Sequence, residues 1–361
     1  MFNRKVLNIF LILGALVIVV LLGVGYKISS DFRHQLQITL NQSVQAFSDE
    51  MEKNNYTQIE FKPFVCSGIL GYECVSKNVT IMQRDTKEKL IELSEVALRL
   101  NDFQTSELNA SIEISKISSG VFDDEIKGNV DSNMFGLYSI LKPNELKCDQ
   151  KYKMLDKKTG EMQIKSHCEI RSNALNYEFS QLQRIKNEKM INKTALKSVT
   201  SYFKDFGSSQ KSVEKIKSYD FAIDEIALGL NSTNLKKSLY PIVQSIYEQA
   251  QPESGFDDGK YNLVIENFKN LSGFVLGAIG VLGSPYQDGV LGFVDGLKQM
   301  ATNQASGVKI SLLPKQEKGS YFNLSSDIFL NIEHQGTQQK ILAKIFNNYD
   351  LKTQVIPNAT K

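Results

Sequence analysis

Residues 93–101 read LSEVALRLN and residues 223–231 read IDEIALGLN, with five of nine letters identical and the others mostly like for like. A looser third copy, SDIFLNIE, occupies 326–333. Side chains of a strand alternate between two faces, so Ile226, Leu228 and Leu230 share one face of the second copy. Glu225, Ala227 and Gly229 share the other. Val96, Leu98 and Leu100 play the same part in the first copy. Each copy therefore predicts a strand with one strongly apolar face, chance similarity between two amphipathic strands being the alternative.

Outward from these strands, the texture alternates between sheet and helix. NVTIMQ (78–83), LNASIEISKI (108–117), EIKGNV (125–130) and ALNYEFSQLQ (174–183) read as strands, as do KYNLVIENF (260–268), GVKISLLP (307–314) and YFNLSSDIFLNIEHQ (321–335). Leu196, Val199, Phe203 and Phe206 form a helical stripe ending at Gly207, and Leu235, Leu239, Ile242, Val243, Ile246 and Tyr247 form a second. KILAKIFNNY (340–349) reads as a short last helix. Strand copies followed by covering helices, with variable connections between, predict an α+β fold of antiparallel, partly repeated strand units covered by helices.

The N-terminus predicts a membrane helix ahead of that body. VLNIFLILGALVIVVLLGVGY, residues 6–26, carries no charge. It is about as long as a helix needs to cross a hydrocarbon core. Arg4 and Lys5 precede it, which favours a cytosolic N-terminus and an exported remainder. The run is longer than the apolar region of a cleaved signal, and Gly23-Val24-Gly25 is a poor cleavage site. The expected topology is single-pass, with the bulk of the chain exported. From Ile28 through Phe32, Leu36, Leu40, Val44, Phe47 and Met51 the helical register continues, which predicts an amphipathic stalk. The expected division is an anchor (1–26), a stalk helix (27–54), a β-rich domain (55–183), a helical connector (184–217), a second α+β unit (218–350) and a tail (351–361).

An exported chain with an even number of cysteines predicts disulfides. Cys148 and Cys168 flank a turn-like stretch, Asp156-Lys157-Lys158-Thr159-Gly160. A hairpin closing there sets the two cysteines opposite each other on antiparallel strands. Cys66 and Cys74 likewise flank a reversal containing Gly68 and Gly71. Neither pair has the C-x₂₋₄-C spacing of a zinc site or the C-x-x-C of a redox pair.

Residues 271–300, LSGFVLGAIGVLGSPYQDGVLGFVDGLKQM, contain two glycine stripes. Gly273, Gly277 and Gly280 form one; Gly289, Gly292 and Gly296 form the other; Ser284-Pro285 separates them. Small stripes let helices approach closely. Three readings stay open: a buried helical hairpin on the sheet, a hairpin that dips into a membrane or covers an apolar cavity, and a flexible glycine-rich loop. Together with Ile226, Leu228 and Leu230, these glycines are the candidate lipid or partner surface.

Composition narrows the chemistry. Lys and Arg total 42 against 40 Asp and Glu, so no net field draws the chain to nucleic acid. Phosphate loops, dinucleotide fingerprints, zinc-protease helices and nucleophile elbows are missing. His34, His167 and His334 sit in unrelated contexts. Asp123-Asp124-Glu125 with Gly128 fails as a calcium loop, because Lys127 and Met134 take ligand positions. Asp257-Asp258-Gly259 reads as a turn. Neither a catalytic residue, a metal ligand nor a cofactor is therefore expected. Asn109 lies in a sequon with Glu107 two residues before it.

An apolar N-terminal run followed by LSEVALRLN and IDEIALGLN resembles the bacterial AsmA-like and YdgA-like envelope proteins. The resemblance covers the N-terminal third and the strand at 219–231. It implies a β-rich periplasmic body tethered to the inner membrane, and a role in envelope lipid homeostasis with lipid carried along an apolar groove. It carries over no functional residue. The expectation is a non-enzymatic protein whose partners are the inner membrane and a lipid or envelope protein; the alternative is a structural or assembly subunit of an envelope complex.

Overall fold

The computed structural model describes residues 32–55, 57–68, 71–101, 105–129, 131–206, 218–278, 281–323 and 347–358. Its strands are β1 (Thr57–Phe61), β2 (Val65–Ser67), β3 (Tyr72–Gln83), β4 (Lys89–Asn101), β5 (Glu107–Ser118), β6 (Glu145–Asp156), β7 (Glu161–Arg171), β8 (Asn176–Lys186), β9 (Asp220–Asn231), β10 (Ala305–Pro314), β11 (Phe322–Asn323) and β12 (Tyr349–Pro357). All pair antiparallel in one 12-stranded sheet, in the order β1-β3-β4-β5-β6-β7-β8-β9-β10-β12, with β2 beside β3 and β11 beside β9. The helices are α1 (Phe32–Asn55), α2 (Gly120–Asn129), α3 (Ser132–Leu141), α4 (Ala195–Phe206), α5 (Leu235–Ala250), α6 (Asp258–Ala278) and α7 (Gln287–Ala301).

This architecture corrects the expected fold class. The strand copies do not build separate α+β units; β4 and β9 are members of one continuous sheet. KYNLVIENF is not a strand either: it lies within α6, where Tyr261 and Ile265 turn one helical face inward. EIKGNV falls largely within α2. The expected single-pass, inner-membrane placement is corrected as well. Among the described residues no helix is long and apolar enough to cross a membrane, and the run 6–26 lies outside the described residues. So does the third strand copy, 326–333.

Within the expected stalk segment, α1 packs along an edge of the sheet. Leu36, Leu40 and Val44, one helical face by their spacing of four, are fully buried against the sheet. The same helix satisfies the backbone of the outermost strands. Asn41 Nδ2 donates to the Phe64 carbonyl at 3.0 Å and its Oδ1 accepts from Phe64 N at 2.8 Å. Ser48 Oγ donates to the Ile59 carbonyl at 2.8 Å, and Gln37 Oε1 accepts from Cys66 N at 2.9 Å. An unpaired strand edge invites association, and a helix laid along it removes that liability.

Both copies of the repeat carry a local switch in side-chain direction at the acidic pair. Leu93 and Val96 are three residues apart, yet both enter the same core. Glu95 between them takes a left-handed backbone, φ 52°. In β9, Gln183 pairs with Ile223 and Gln181 with Ile226, so Ile223 and Ile226 also face one way despite their spacing, with a bulge at Asp224. The recurring Ser-Glu or Asp-Glu step is thus the kink of an otherwise regular strand.

Both disulfides expected from spacing are formed. Cys66–Cys74 and Cys148–Cys168 each have a Cα separation of 4.0 Å. Each pair occupies directly opposed positions, on β2/β3 and β6/β7.

Candidate functional site

The register lines up one row of side chains across almost the whole sheet: Cys66, Cys74, Leu98, Ile112, Cys148, Cys168, Phe179, Leu228, Ile310 and Thr353 stand opposite one another in succession. A neighbouring row runs Ser166, Gln181, Ile226, Leu312 and Leu351. Direct opposition keeps all of them on one face, the face on which the helices pack.

Among the described residues, helices cover the two ends of that face and none covers its middle. Towards β1, a core built from α1, α4 and the strands through β7, and reaching Ile185 of β8 and Phe221 of β9 at one end, buries Leu98, Ile112 and Cys148. Beyond it, a second core holds Leu230, Val308, Val243, Ile265 and Met300 beneath α5, α6 and α7. Between them Phe179 is 37% exposed and Leu228 45% exposed. Cys168, Ile226, Ile310, Leu312 and Leu351 are half-buried beside them. The result is an apolar trough floored by β7–β10, with α4 over β5 and β6 on one side and α7 over β10 and β12 on the other.

The second glycine stripe sets the α7 wall. A Cβ on Gly289 would stand 2.5 Å from the Leu351 carbonyl oxygen, one on Gly292 3.3 Å from Thr353, and one on Gly296 2.4 Å from Val308. At Gly289 and Gly296 only hydrogen fits, and at Gly292 a methyl would be tight, so the helix backbone lies directly on the sheet. Thr353 Oγ1 adds a 2.5 Å hydrogen bond to the Gly289 carbonyl.

Behind α7 a second apolar space opens, a cleft of about 290 Å³ between α3, α5, α6 and α7. Leu239, Ile242, Ile246, Ile265, Phe268 and Leu297 are among its lining residues, with Lys269 and Lys298 also at the wall. Ion pairs tie α6 to α7 there: Lys269 to Asp295 at 2.9 Å and Lys298 to Glu266 at 2.5 Å. The Lys298 ammonium holds the Glu266 carboxyl below its ordinary range, and Lys269 does the same to Asp295. Burial pushes the Tyr261 hydroxyl up to about 12, and it donates to the Ala301 carbonyl at 2.9 Å.

The sequence-predicted positions separate into groups. Leu228 and Ile226 line the trough, whereas Leu230 is buried beneath the second core. Gly289, Gly292 and Gly296 face the sheet. Gly273 has open space around it, Gly277 touches only Leu282, and Gly280 lies outside the described residues. Phe179, Ile310 and Leu312 were not singled out from sequence, although the alternation in ALNYEFSQLQ and GVKISLLP holds the signal.

The acidic segment at Asp123 has a structural explanation. Asp123 accepts from Ser119 and Tyr138 and pairs with Lys142 at 2.6 Å, which ties α2 to α3. His34 is exposed on α1, His167 sits 3.3 Å from Glu169, and His334 lies outside the described residues. Among the described residues no cluster of His, Cys, Asp and Glu could hold a metal ion. No family model matches this chain, and no curated protein matches it either.

Proposed function

We propose that this chain is a non-enzymatic lipid-contacting protein that takes the apolar part of a lipid onto the trough between α4 and α7. The uncovered strip Phe179–Leu228–Ile310, in the middle of a sheet whose two ends are sealed by helices, carries this reading. Large apolar side chains gathered in a recess favour an apolar occupant, because each one withdrawn from water contributes about 1.5–3 kcal/mol. From β7 to β10 the floor crosses three strand spacings, about 15 Å, enough for most of an acyl chain. The reading agrees with what the family resemblance implies.

Titration of the purified full-length chain with a fluorescent acyl probe tests this, alongside native mass spectrometry for co-purified lipid. Leu228→Lys is expected to weaken probe binding about tenfold, or about 1.4 kcal/mol, with the melting temperature within a few degrees of wild type. Unchanged affinity in both Leu228→Lys and Phe179→Asp would remove the proposal.

A structural or assembly role has one observation of its own. Among the described residues β12 has no strand on its outer side, while α1 covers the opposite edge. An open edge can accept a partner strand. A chain that purifies without lipid but with a stoichiometric protein partner would favour that role.

A further inference from the structure

We infer that the outward face of α6 is a docking surface for a lipid bilayer. The face stands independently of the trough, on a helix whose main contacts are with α5 and α7. Its inward positions, Tyr261 and Ile265, are buried; its exposed side carries large apolar residues with the uncharged Asn267 and Asn270 among them. Leu263, Leu271, Phe274 and Val275 all point to solvent, and Phe274 is 77% exposed. Leu282, in the connection that follows, is exposed beside Gly277. A helix already packed on one side has no structural need for a second apolar face.

Charge identifies the partner. Residues 270–287 contain no Asp, Glu, Lys or Arg, in a chain of which 23% is charged. Along α6 the charged residues are Asp258, Lys260, Glu266 and Lys269, which cancel. Lys269 and Glu266 are further engaged with Asp295 and Lys298 of α7. The face is thus uncharged and mainly apolar, with no charge of its own to select an acidic or basic protein surface. Specific protein interfaces combine fitted pockets with a polar, charged rim, and residues 270–287 supply no charge for such a rim. An interfacial bilayer region makes neither demand and accepts a helix lying in its plane. Phe268 and Ile246, both exposed, continue the face into the mouth of the cleft between α5, α6 and α7. Docking would therefore present that cleft to the bilayer.

The chain has no tryptophan, so Phe274→Trp introduces a single reporter. The full-length variant is reconstituted into phosphatidylcholine vesicles, with and without acyl-chain bromination. The expected result is a blue-shifted indole emission, at least half quenched by brominated lipid. Because the face is neutral, adding phosphatidylglycerol should leave the quenching unchanged. Adding Val275→Asp should reduce it. Should Phe274→Trp not fold, Leu271→Trp repeats the measurement one turn away. An emission typical of water-exposed indole overturns the inference, and so does a blue shift without lipid quenching, which would mean burial against protein. Phe179→Trp, read with a brominated free fatty acid, reports on the trough separately, so either idea can fail alone.

Discussion

Leu98 and Leu228 occupy the same position in the two copies of the repeated strand and the same row of the sheet, yet Leu98 is buried and Leu228 is 45% exposed. The difference arises from what lies above each strand. Helices and neighbouring strands close over Leu98, while the floor at Leu228 falls between the two helical covers. One sequence motif therefore serves as sealed core in one place and as a half-exposed floor in the other.

The contrast gives a paired prediction. Leu98→Ala leaves a cavity in a sealed core and is expected to cost about 2–5 kcal/mol. Leu228→Ala removes a side chain that is already half in water and is expected to cost less than about 1 kcal/mol. Urea unfolding of both variants measures the difference. Equal losses would mean that the trough is closed in solution.

The glycines of α6 and α7 predict opposite signs. Gly296→Ala would place a methyl 2.4 Å from Val308 Cγ2, and overpacking of this kind costs about 1–3 kcal/mol. Gly273→Ala meets nothing within 4 Å and should gain up to about 1 kcal/mol from helix propensity. Thermal melts of the two variants should move in opposite directions. A stabilised Gly296→Ala would contradict the close seating of α7.

Local patterns in the sequence carried the elements whose partners lie nearby. Cys148 and Cys168 could be paired from the turn between them, because a hairpin fixes its own register. The apolar stripe of α1 was visible, but Asn41 and Ser48 look like ordinary polar positions until the strand edge they satisfy is in place. KYNLVIENF misleads because Tyr261, Val264 and Ile265 are residues that favour strands, and packing against α5 and α7 overrides that preference. The trough was only half legible. Leu228 and Ile226 follow from alternation, but Phe179 and Ile310 become their neighbours only when β8, β9 and β10 are laid side by side. The switch at Glu95 and Asp224 was hidden for a different reason: strict alternation assumes a strand without a kink.

Arg184 and Asp224 predict a strong coupling on the opposite face. Arg184 Nε and Nη2 contact the two carboxylate oxygens of Asp224 at 2.8 and 3.0 Å. Arg184 Nη2 also donates to the Gly319 carbonyl at 2.7 Å, and the guanidinium lies over the Tyr321 ring. Their side chains are only 9% and 11% exposed. Asp224→Ala leaves the buried guanidinium with only the longer Glu161 carboxylate contact, 3.3 Å from Nη1, and should cost about 3 kcal/mol. Arg184→Met with Asp224→Leu removes both charges and should recover more than half of that loss. A double variant as unstable as the single one would show that the pair is not what secures the 315–321 loop.

The ion pairs between α6 and α7 predict a dependence on pH with a defined sign. Glu266 and Asp295 are held below their ordinary carboxyl values by Lys298 and Lys269. A carboxyl with a depressed folded value stabilises the fold above its unfolded pKa, about 4, and loses that contribution as pH falls through the folded value. The melting temperature should therefore drop on acidification below about pH 4. Other carboxyls with the same sign, such as Glu113 beside Arg99, add to the total drop. A Lys269→Met, Lys298→Met double variant isolates the helix pair: its acid-induced drop should be shallower than that of the wild type. Both pairs are partly exposed, so added salt should narrow the gap. Identical pH profiles at low salt would mean that these bridges contribute nothing to holding α6 against α7, and that the apolar contacts lining the cleft hold it alone.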